Sequence, residues 1–260
     1  CIDLRRETDK QRGLEDALAR IEAGEQAGNL QQLGSEELAF LPDQAFLYEL
    51  PLRLRQAFAA LPPLKDWARV ALGMKTSDNK RFLRYWWQAD PGGDWVPYEK
   101  QTSGFPFYRR ARFVVDWSPE AQEHYRTHYS AQLPNKSLWF QEGITFGMLS
   151  SRGFSAKYLP PGHMADMAAN LVIPNRPRDL WFLLGVLNSR LAGYFLEAIN
   201  PSVNFQVRDV QRLPLPSPTP EEHRLISLVT RLLVAVERIR DQWDPTSPDY
   251  RQPPLTESGK

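Results

Sequence analysis

Gly73-Met74-Lys75-Thr76-Ser77-Asp78-Asn79-Lys80-Arg81-Phe82-Leu83-Arg84-Tyr85-Trp86 is the stretch at which the chain changes character. Ahead of it, apolar residues recur at helical spacing. From residue 73 to about residue 173 that periodicity fades, aromatics become dense, and Gly, Pro and Asn cut the apolar residues into short runs. Runs of this kind bounded by turn residues read as strands, here 81–87, 111–117, 137–141, 144–150 and 171–173. Ser118-Pro119-Glu120 interrupts them with a helix start: Ser caps the exposed N–H groups, and Pro occupies the first turn, where no N–H is needed. That helix is expected to run through Tyr129.

The flanks are helical. Residues 3–28 are charged and helix-prone, with Leu14, Leu18 and Ile21 at i, i+4, i+7 on one stripe. Residues 51–61 read as a short amphipathic helix and 64–72 as a second, stopped by Gly73. Residues 180–199 are strongly apolar and predict one long buried helix, ended by Pro201. Thr219-Pro220-Glu221-Glu222 is a capping box that opens a further helix through Leu225, Leu228, Leu232, Val236 and Ile239. Beyond residue 243, Pro, Ser and Asp dominate with no apolar face, which predicts a mobile tail.

The fold class is therefore α+β: small mixed sheets flanked by helices, with a long C-terminal helix. The expected division is a helical support region over 1–72, a recognition domain over 73–216, a spacer helix over 217–243 and the tail over 244–260.

Composition narrows the function. The 260 residues are 42% hydrophobic and include eight Trp, nine Tyr and thirteen Phe, enough for a sizeable core. No apolar run approaches the roughly 20 residues needed to span a bilayer, and the start carries no apolar signal segment. Cys1 is the only cysteine, so neither an internal disulfide nor a cysteine-based zinc cluster can form. A cytoplasmic protein without membrane partners is expected, and the absence of an initiator Met fits a piece of something longer. Net charge is only +1, yet residues 73–160 hold twelve Lys and Arg against eight Asp and Glu. A local excess of that kind biases one face toward phosphate or simply makes a solvated surface.

Catalytic motifs are missing. Modifying an exocyclic base amine calls for an Asn/Asp-Pro-Pro-aromatic loop, whose oxygens accept from the amine while the ring stacks on the base. Asn200-Pro201-Ser202-Val203 lacks the second proline and the ring, and Leu61-Pro62-Pro63-Leu64 lacks the polar residue and the ring. No glycine-rich nucleotide loop follows a strand. His124 and His128 are four apart on the predicted helix, but Tyr125 stands where a zinc protease has Glu. No catalytic residue and no metal ligand is assigned.

What remains is a recognition surface in which cations interleave with rings and amides. Arg and Lys neutralise phosphates or bond guanine edges, and Asn and Gln suit adenine edges. The candidates are Lys75, Thr76, Asn79, Lys80, Arg81, Arg84, Lys100, Arg109, Arg110, Arg112, Arg152, Lys157, Asn204 and Gln206. The plainer reading of each is a packed aromatic core with a solvated basic rim.

Five segments together resemble one family. The stretch from Gly73 to Trp86 is similar to the entry into the recognition domain of PglX-type adenine methyltransferases of the BREX phage-defence systems and of fused type II restriction–modification enzymes. Trp95-Val96-Pro97-Tyr98-Glu99-Lys100 resembles the next block. Gly143-Ile144-Thr145-Phe146 with Ser150-Ser151-Arg152-Gly153-Phe154-Ser155 resembles a third. Leu187-Asn188-Ser189, and then Asn200-Pro201-Ser202-Val203-Asn204-Phe205-Gln206-Val207-Arg208-Asp209-Val210, resemble the closing blocks. Leu213-Pro214-Leu215-Pro216 and the capped helix after it look like the spacer that ends type I specificity domains. Ser77 departs from the family, which has glycine there, and Gln101-Thr102-Ser103 replaces a favoured Gly-Gly pair.

The resemblance implies a C-terminal target-recognition domain that reads double-stranded DNA. It implies a catalytic domain in the same parent chain that binds S-adenosylmethionine and methylates adenine N6. This segment itself needs no cofactor and is not an enzyme alone. Other defence-system proteins are further candidate partners. A module that docks another protein without reading DNA is the alternative.

Overall fold

The computed structural model describes residues 2–4, 7–25, 28–30, 50–100 and 104–251. They divide into two compact units, Cys1–Ala60 and Leu61–Lys260.

In the first unit, α1 (Lys10–Glu22) begins at Asp9, whose carboxylate accepts from the backbone N–H groups of Gln11 and Arg12, both at 3.1 Å. Its Leu14, Leu18 and Ile21 stripe forms as the spacing predicts and stays exposed. The next helix among the described residues, α2, is Leu52–Ala60.

The larger unit runs β1 (Ala68–Ala71), α3 (Asn79–Phe82), β2 (Leu83–Tyr85), β3 (Trp95–Glu99), β4 (Phe113–Asp116), α4 (Pro119–Thr127), β5 (Gly143–Gly147), β6 (Ala156–Leu159), β7 (Met164–Ala165), β8 (Ala169–Pro174), α5 (Leu180–Leu187), α6 (Arg190–Ile199), α7 (Val207–Gln211) and α8 (Pro220–Gln242). Its strands form two four-stranded sheets. The first, ordered β1-β8-β5-β6, is antiparallel throughout. The second, ordered β2-β4-β3-β7, is antiparallel except where β7 runs parallel to β3. This is the α+β architecture the sequence implies.

Each sheet is placed by what its faces bury. One face of the first carries Ile144, Phe146, Tyr158 and Val172, and Tyr158 stacks on Trp181 of α5 at 5.0 Å. The opposite face carries Lys157, Leu159, Leu171 and Ile173, and its apolar members cluster with Ala165 of β7. Both faces of β5, β6 and β8 are thus covered, which is why Leu171-Val172-Ile173 in β8 is a continuous apolar run rather than an alternation. The second sheet buries Leu83, Tyr98, Val115 and Met164 against Tyr125 of α4 and Phe82 of α3. Helix α5 in turn lies against α8 at Gly185, where a β-carbon would come within 2.4 Å of Thr230 Oγ1.

Several elements differ from expectation, each for a local reason. Residues 64–72 form not a helix but a 3-10 turn, Leu64–Asp66, followed by β1, because Ala68 to Ala71 are claimed by pairing with β8. Residues 137–141 are not a strand. Asn135, at φ 55°, opens a 3-10 turn over Lys136–Leu138, and Phe140, at φ 60°, cannot continue as extended chain. The stretch 81–87 is mostly α3, β2 and a 3-10 turn at Trp86–Gln88 rather than one strand. The helix at Ser118 ends at Thr127, short of Tyr129.

The long apolar helix expected over 180–199 is two helices, bent by 73° at the break. Ser189 caps the second by accepting from Ala192 N at 3.2 Å. Asn188 turns its amide onto the backbone of Ala156, accepting at 3.0 Å and donating at 2.8 Å, and so fixes the break to β6. Among the described residues no single helix is long and apolar enough to cross a membrane.

Candidate nucleic-acid interface

The entry stretch is fixed by backbone geometry. A β-carbon on Gly73 would fall 2.3 Å from the carbonyl oxygens of Ala165 and Asp166, so only glycine lets this chain pass β7. Ser77 adopts φ 72°, the left-handed region that glycine enters freely, which explains why the resembling family has glycine there. Its hydroxyl lies 3.0 Å from His124 Nε2. Asp78 then caps α3, accepting from Arg81 N at 3.0 Å.

Lys75, Asn79, Lys80 and Arg81 are exposed around this short helix. The Arg81 guanidinium sits 4.7 Å from the Phe82 ring. Arg84, on the edge strand β2, donates to the carbonyls of Lys80 at 2.8 Å and Leu83 at 2.7 Å, which holds it against its own backbone. Thr76 is buried and donates to Asn79 Oδ1 at 2.9 Å, so it shapes the turn rather than facing outward.

The other cations, Arg152 apart, gather at a cleft of about 400 Å³. One wall is aromatic. Tyr85 and Trp87 stack with centroids 4.6 Å apart and planes 7° from parallel, and Phe113, paired with Tyr85 across the strands, stacks at 4.6 Å. Lys100, Arg109, Arg110 and Arg112 line the rest. Arg109 lies 3.8 Å over the Phe105 ring, and burial, with the charge of Arg112 beside it, pulls its guanidinium pKa down.

The floor is a buried charge network. Lys157, on the first sheet, donates to Glu99 of the second at 2.6 Å and to the carbonyl of Arg109 at 3.2 Å, and His163 Nδ1 meets the other Glu99 oxygen at 3.0 Å. Burial pushes the Glu99 carboxyl up, but Lys157 and His163 more than offset it and hold it below its ordinary value. Lys157 therefore faces no solvent; it ties the two sheets together. Beside it, Asp166 accepts from Tyr98 Oη at 2.8 Å and from Lys100 Nζ at 3.1 Å. Burial, with Asp166 next to it, raises the Tyr98 hydroxyl well above its usual range.

The segment after α8 closes one side of the cleft. Arg112 binds Asp241 at 2.7 Å, Asp244 at 2.9 Å and Thr246 Oγ1 at 3.0 Å, and Trp86 Nε1 donates to Thr246 O at 2.9 Å. Arg109 lies 3.6 Å from Asp244, and Arg110 lies 3.8 Å from Asp249. In the stretch expected to be a mobile tail, Asp244 and Asp249 thus lie against Arg109, Arg110 and Arg112; residues 252–260 lie outside the described residues.

Arg152 is exposed near Gly104. Asn204 and Gln206 stand apart from the cleft, in the turn that enters α7, where Gln206 takes part in a capping box with Asp209. His124 and His128 stack at 4.6 Å on α4, and among the described residues no three His, Cys, Asp or Glu side chains converge on a metal site. Sequence reasoning did not find Asp241, Asp244, Thr246 or the Tyr85–Trp87 wall. The run of aspartates following a basic-patterned chain was the available signal.

Fold and cleft together define an α+β domain with a cationic, aromatic-walled cleft. No family model matches the chain. Its relatives are adenine-specific methyltransferases. It is 26% identical over 187 residues to the adenine-specific methyltransferase BrxX of Escherichia coli O9:H4 (strain HS), a match covering 67% of this chain and 15% of that protein. It is 28% identical over 167 residues to the adenine-specific methyltransferase PglX of Lacticaseibacillus casei (strain Zhang), covering 55% of this chain and 14% of that one. These are the relatives that the five sequence blocks imply, and the chain spans only a small part of their length. Among solved structures, the HsdS subunit from Thermoanaerobacter tengcongensis overlays with a TM-score of 0.37 at 14% identity, covering 91% of this chain and 54% of that one.

Proposed function

We propose that this chain is the target-recognition module of a DNA adenine methyltransferase in a phage-defence or restriction–modification system. It holds double-stranded DNA and discriminates its sequence. A catalytic domain elsewhere in the same polypeptide binds S-adenosylmethionine, which supplies the methyl group for adenine N6. The observation that carries this reading is the similarity to adenine-specific methyltransferases along 187 residues, a stretch that makes up only 15% of one such protein. A segment of that kind, without an Asn-Pro-Pro-aromatic loop, fits recognition rather than chemistry.

The residues proposed to face DNA are those with reach. Lys75, Asn79, Lys80 and Arg81 surround α3, Lys100, Arg109 and Arg110 surround the cleft, and Arg152 projects separately. Gln206, exposed at the α7 turn, is proposed as an amide reader, whereas Asn204, whose Oδ1 is buried, is proposed to shape that turn. Thr76, Arg84, Arg112 and Lys157 position the surface from within.

The test uses a methyltransferase that contains this segment. Arg81→Ala and Arg109→Ala are each expected to lower methylation of the cognate site about tenfold or to relax the site, as loss of a base or phosphate contact does. Thermal unfolding should stay unchanged in Arg81→Ala, whose side chain is exposed, and should fall only slightly in Arg109→Ala, whose half-buried side chain packs on Phe105. If alanine at every exposed basic position from Lys75 to Arg152 leaves site-specific methylation intact, the reading is wrong.

One observation favours a second role, docking to protein. Leu225, Leu228, Leu232 and Ile239 form an exposed stripe along α8, the pattern by which an amphipathic helix seats on a neighbour.

A further inference from the structure

The cleft contains more than cations. A surface that only tracked a duplex backbone would need exposed Lys and Arg and nothing else. Here two aromatic rings lie parallel beside the cations, with 40% of Tyr85 and 49% of Trp87 open to solvent. Both line the same cavity as Lys100, Arg109 and Arg110. Its volume of about 400 Å³ lies in the range of small-ligand pockets, which run from about 300 to 1,000 Å³, and a duplex does not fit inside one.

We propose that this cleft takes one unstacked nucleotide of a DNA strand, the base laid against Trp87, which Tyr85 backs from behind, and the flanking phosphates on Arg109 and Arg110. The proposal rests on the DNA-recognition reading above and names what this part of the surface holds.

The contrast among the three arginines supports it. Arg112 is saturated, with two carboxylates at 2.7 and 2.9 Å. Arg109 and Arg110 reach their aspartates only at 3.6 and 3.8 Å. Those separations are ion pairs beyond hydrogen-bonding distance, so the N–H groups of these two guanidiniums are not spent on Asp244 and Asp249. The carboxylates mark where anions are stable around the cleft, and a phosphate offers more charge and better acceptor geometry to the same guanidiniums.

The floor asks for nothing. Glu99 is matched by Lys157 and His163, and Asp166 by Tyr98 and Lys100, so no buried charge in the cleft lacks a partner. A ligand here has to bring its own anion to the rim and a flat apolar face to the wall. A nucleotide does both. Stacking on aromatic side chains tolerates any base, since every base has a π face. The pocket therefore senses that a nucleotide has left the stack, not which one it is.

The experiment compares two DNA duplexes binding to the full 260-residue chain at one salt concentration. One duplex is fully paired; the other is identical but for a single extrahelical 2-aminopurine. The bulged duplex is expected to bind about tenfold more tightly, with its 2-aminopurine fluorescence quenched on binding. Trp87→Ala should abolish both the preference and the quenching while leaving paired-duplex affinity within about twofold, and Trp87→Phe should keep both. Trp87 is half exposed, so its loss does not threaten folding; circular dichroism and melting of the variant check this.

Equal affinity for the two duplexes would overturn the pocket while leaving DNA recognition standing. So would a preference that survives Trp87→Ala combined with Tyr85→Ala. Failure to bind either duplex would overturn both readings.

Discussion

The two sheets of the larger unit have four strands each but do opposite work. In the first, every residue of β5 and β6 is buried, between α5 on one face and the second sheet on the other. In the second, only one face is fully packed, and the β2 edge opens onto the cleft with Tyr85 and Phe113 partly exposed. Chemistry follows position. Lys157, on the first sheet, is a cation consumed by structure, whereas Lys100, one residue beyond β3, keeps 29% of its side chain in solvent. The lesson is that cations in one basic stretch divide into those that build the surface and those that can work on it. Burial, not charge, separates them.

The largest expected effect breaks the bond between the sheets. Glu99→Gln keeps the size of the side chain but leaves Lys157 buried without its counter-charge. Loss of one partner of such a pair costs about 3–5 kcal/mol, enough to lower the urea midpoint severely or to prevent folding. Because the folded Glu99 pKa is depressed, its contribution is complete above the unfolded carboxylate value and disappears as pH falls through the folded one. A variant as stable as the parent at neutral pH would mean the two sheets are held together without this pair.

A moderate effect sharpens the comparison at the rim of the cleft. Burial pushes Asp244 up, but hydrogen bonds from Thr246 and Arg112 outweigh it and take its pKa from 3.8 to about 2. The sign follows directly. A depressed carboxylate stabilises docking of the 244–251 segment above its ordinary pKa, and that contribution is lost as pH drops from about 4 toward 2. Trp86 reports the loss, because its Nε1 donates to Thr246 O within the segment. Its fluorescence should therefore change over that window in the parent and show no such step in Asp244→Asn. An unchanged step in the variant would assign the titration elsewhere, with Glu99 the first alternative.

The same division decides what could be read from sequence. Helix starts were legible because capping is local: Ser118 with Pro119, and Thr219 with Glu222, whose carboxylate accepts from Thr219 N at 2.8 Å. The buried strand β8 announced itself as an apolar run. By contrast β1 and β7 depend on partners 100 and 66 residues away, Ala71 on Leu171 and Met164 on Tyr98, and nothing within four or two residues specifies that choice. The basic residues of the cleft were visible one by one. Their sorting was not, because Asp241 and Asp244 meet Arg112 only after the chain has crossed both sheets and α8.

The smallest expected effect lies at Ser77, where the sequence departs from the family it resembles. An L-residue in the left-handed region gives up about 1–2 kcal/mol that glycine does not. The hydroxyl recovers part of this through its contact with His124, since a hydrogen bond nets about 0.5–1.5 kcal/mol. Glycine also leaves the unfolded chain freer, by roughly 0.5–1 kcal/mol. Ser77→Gly should thus sit within about 1 kcal/mol of the parent. Ser77→Ala keeps the strain, loses the bond, and should be the less stable of the two variants. Urea midpoints measured side by side give the order. Alanine above glycine would mean that φ at this position costs little and that the family's glycine answers to something other than backbone conformation. Duplex affinity should not move in either variant, since Ser77 shapes the approach to α3 without reaching past Lys80 and Arg81 to the surface they form.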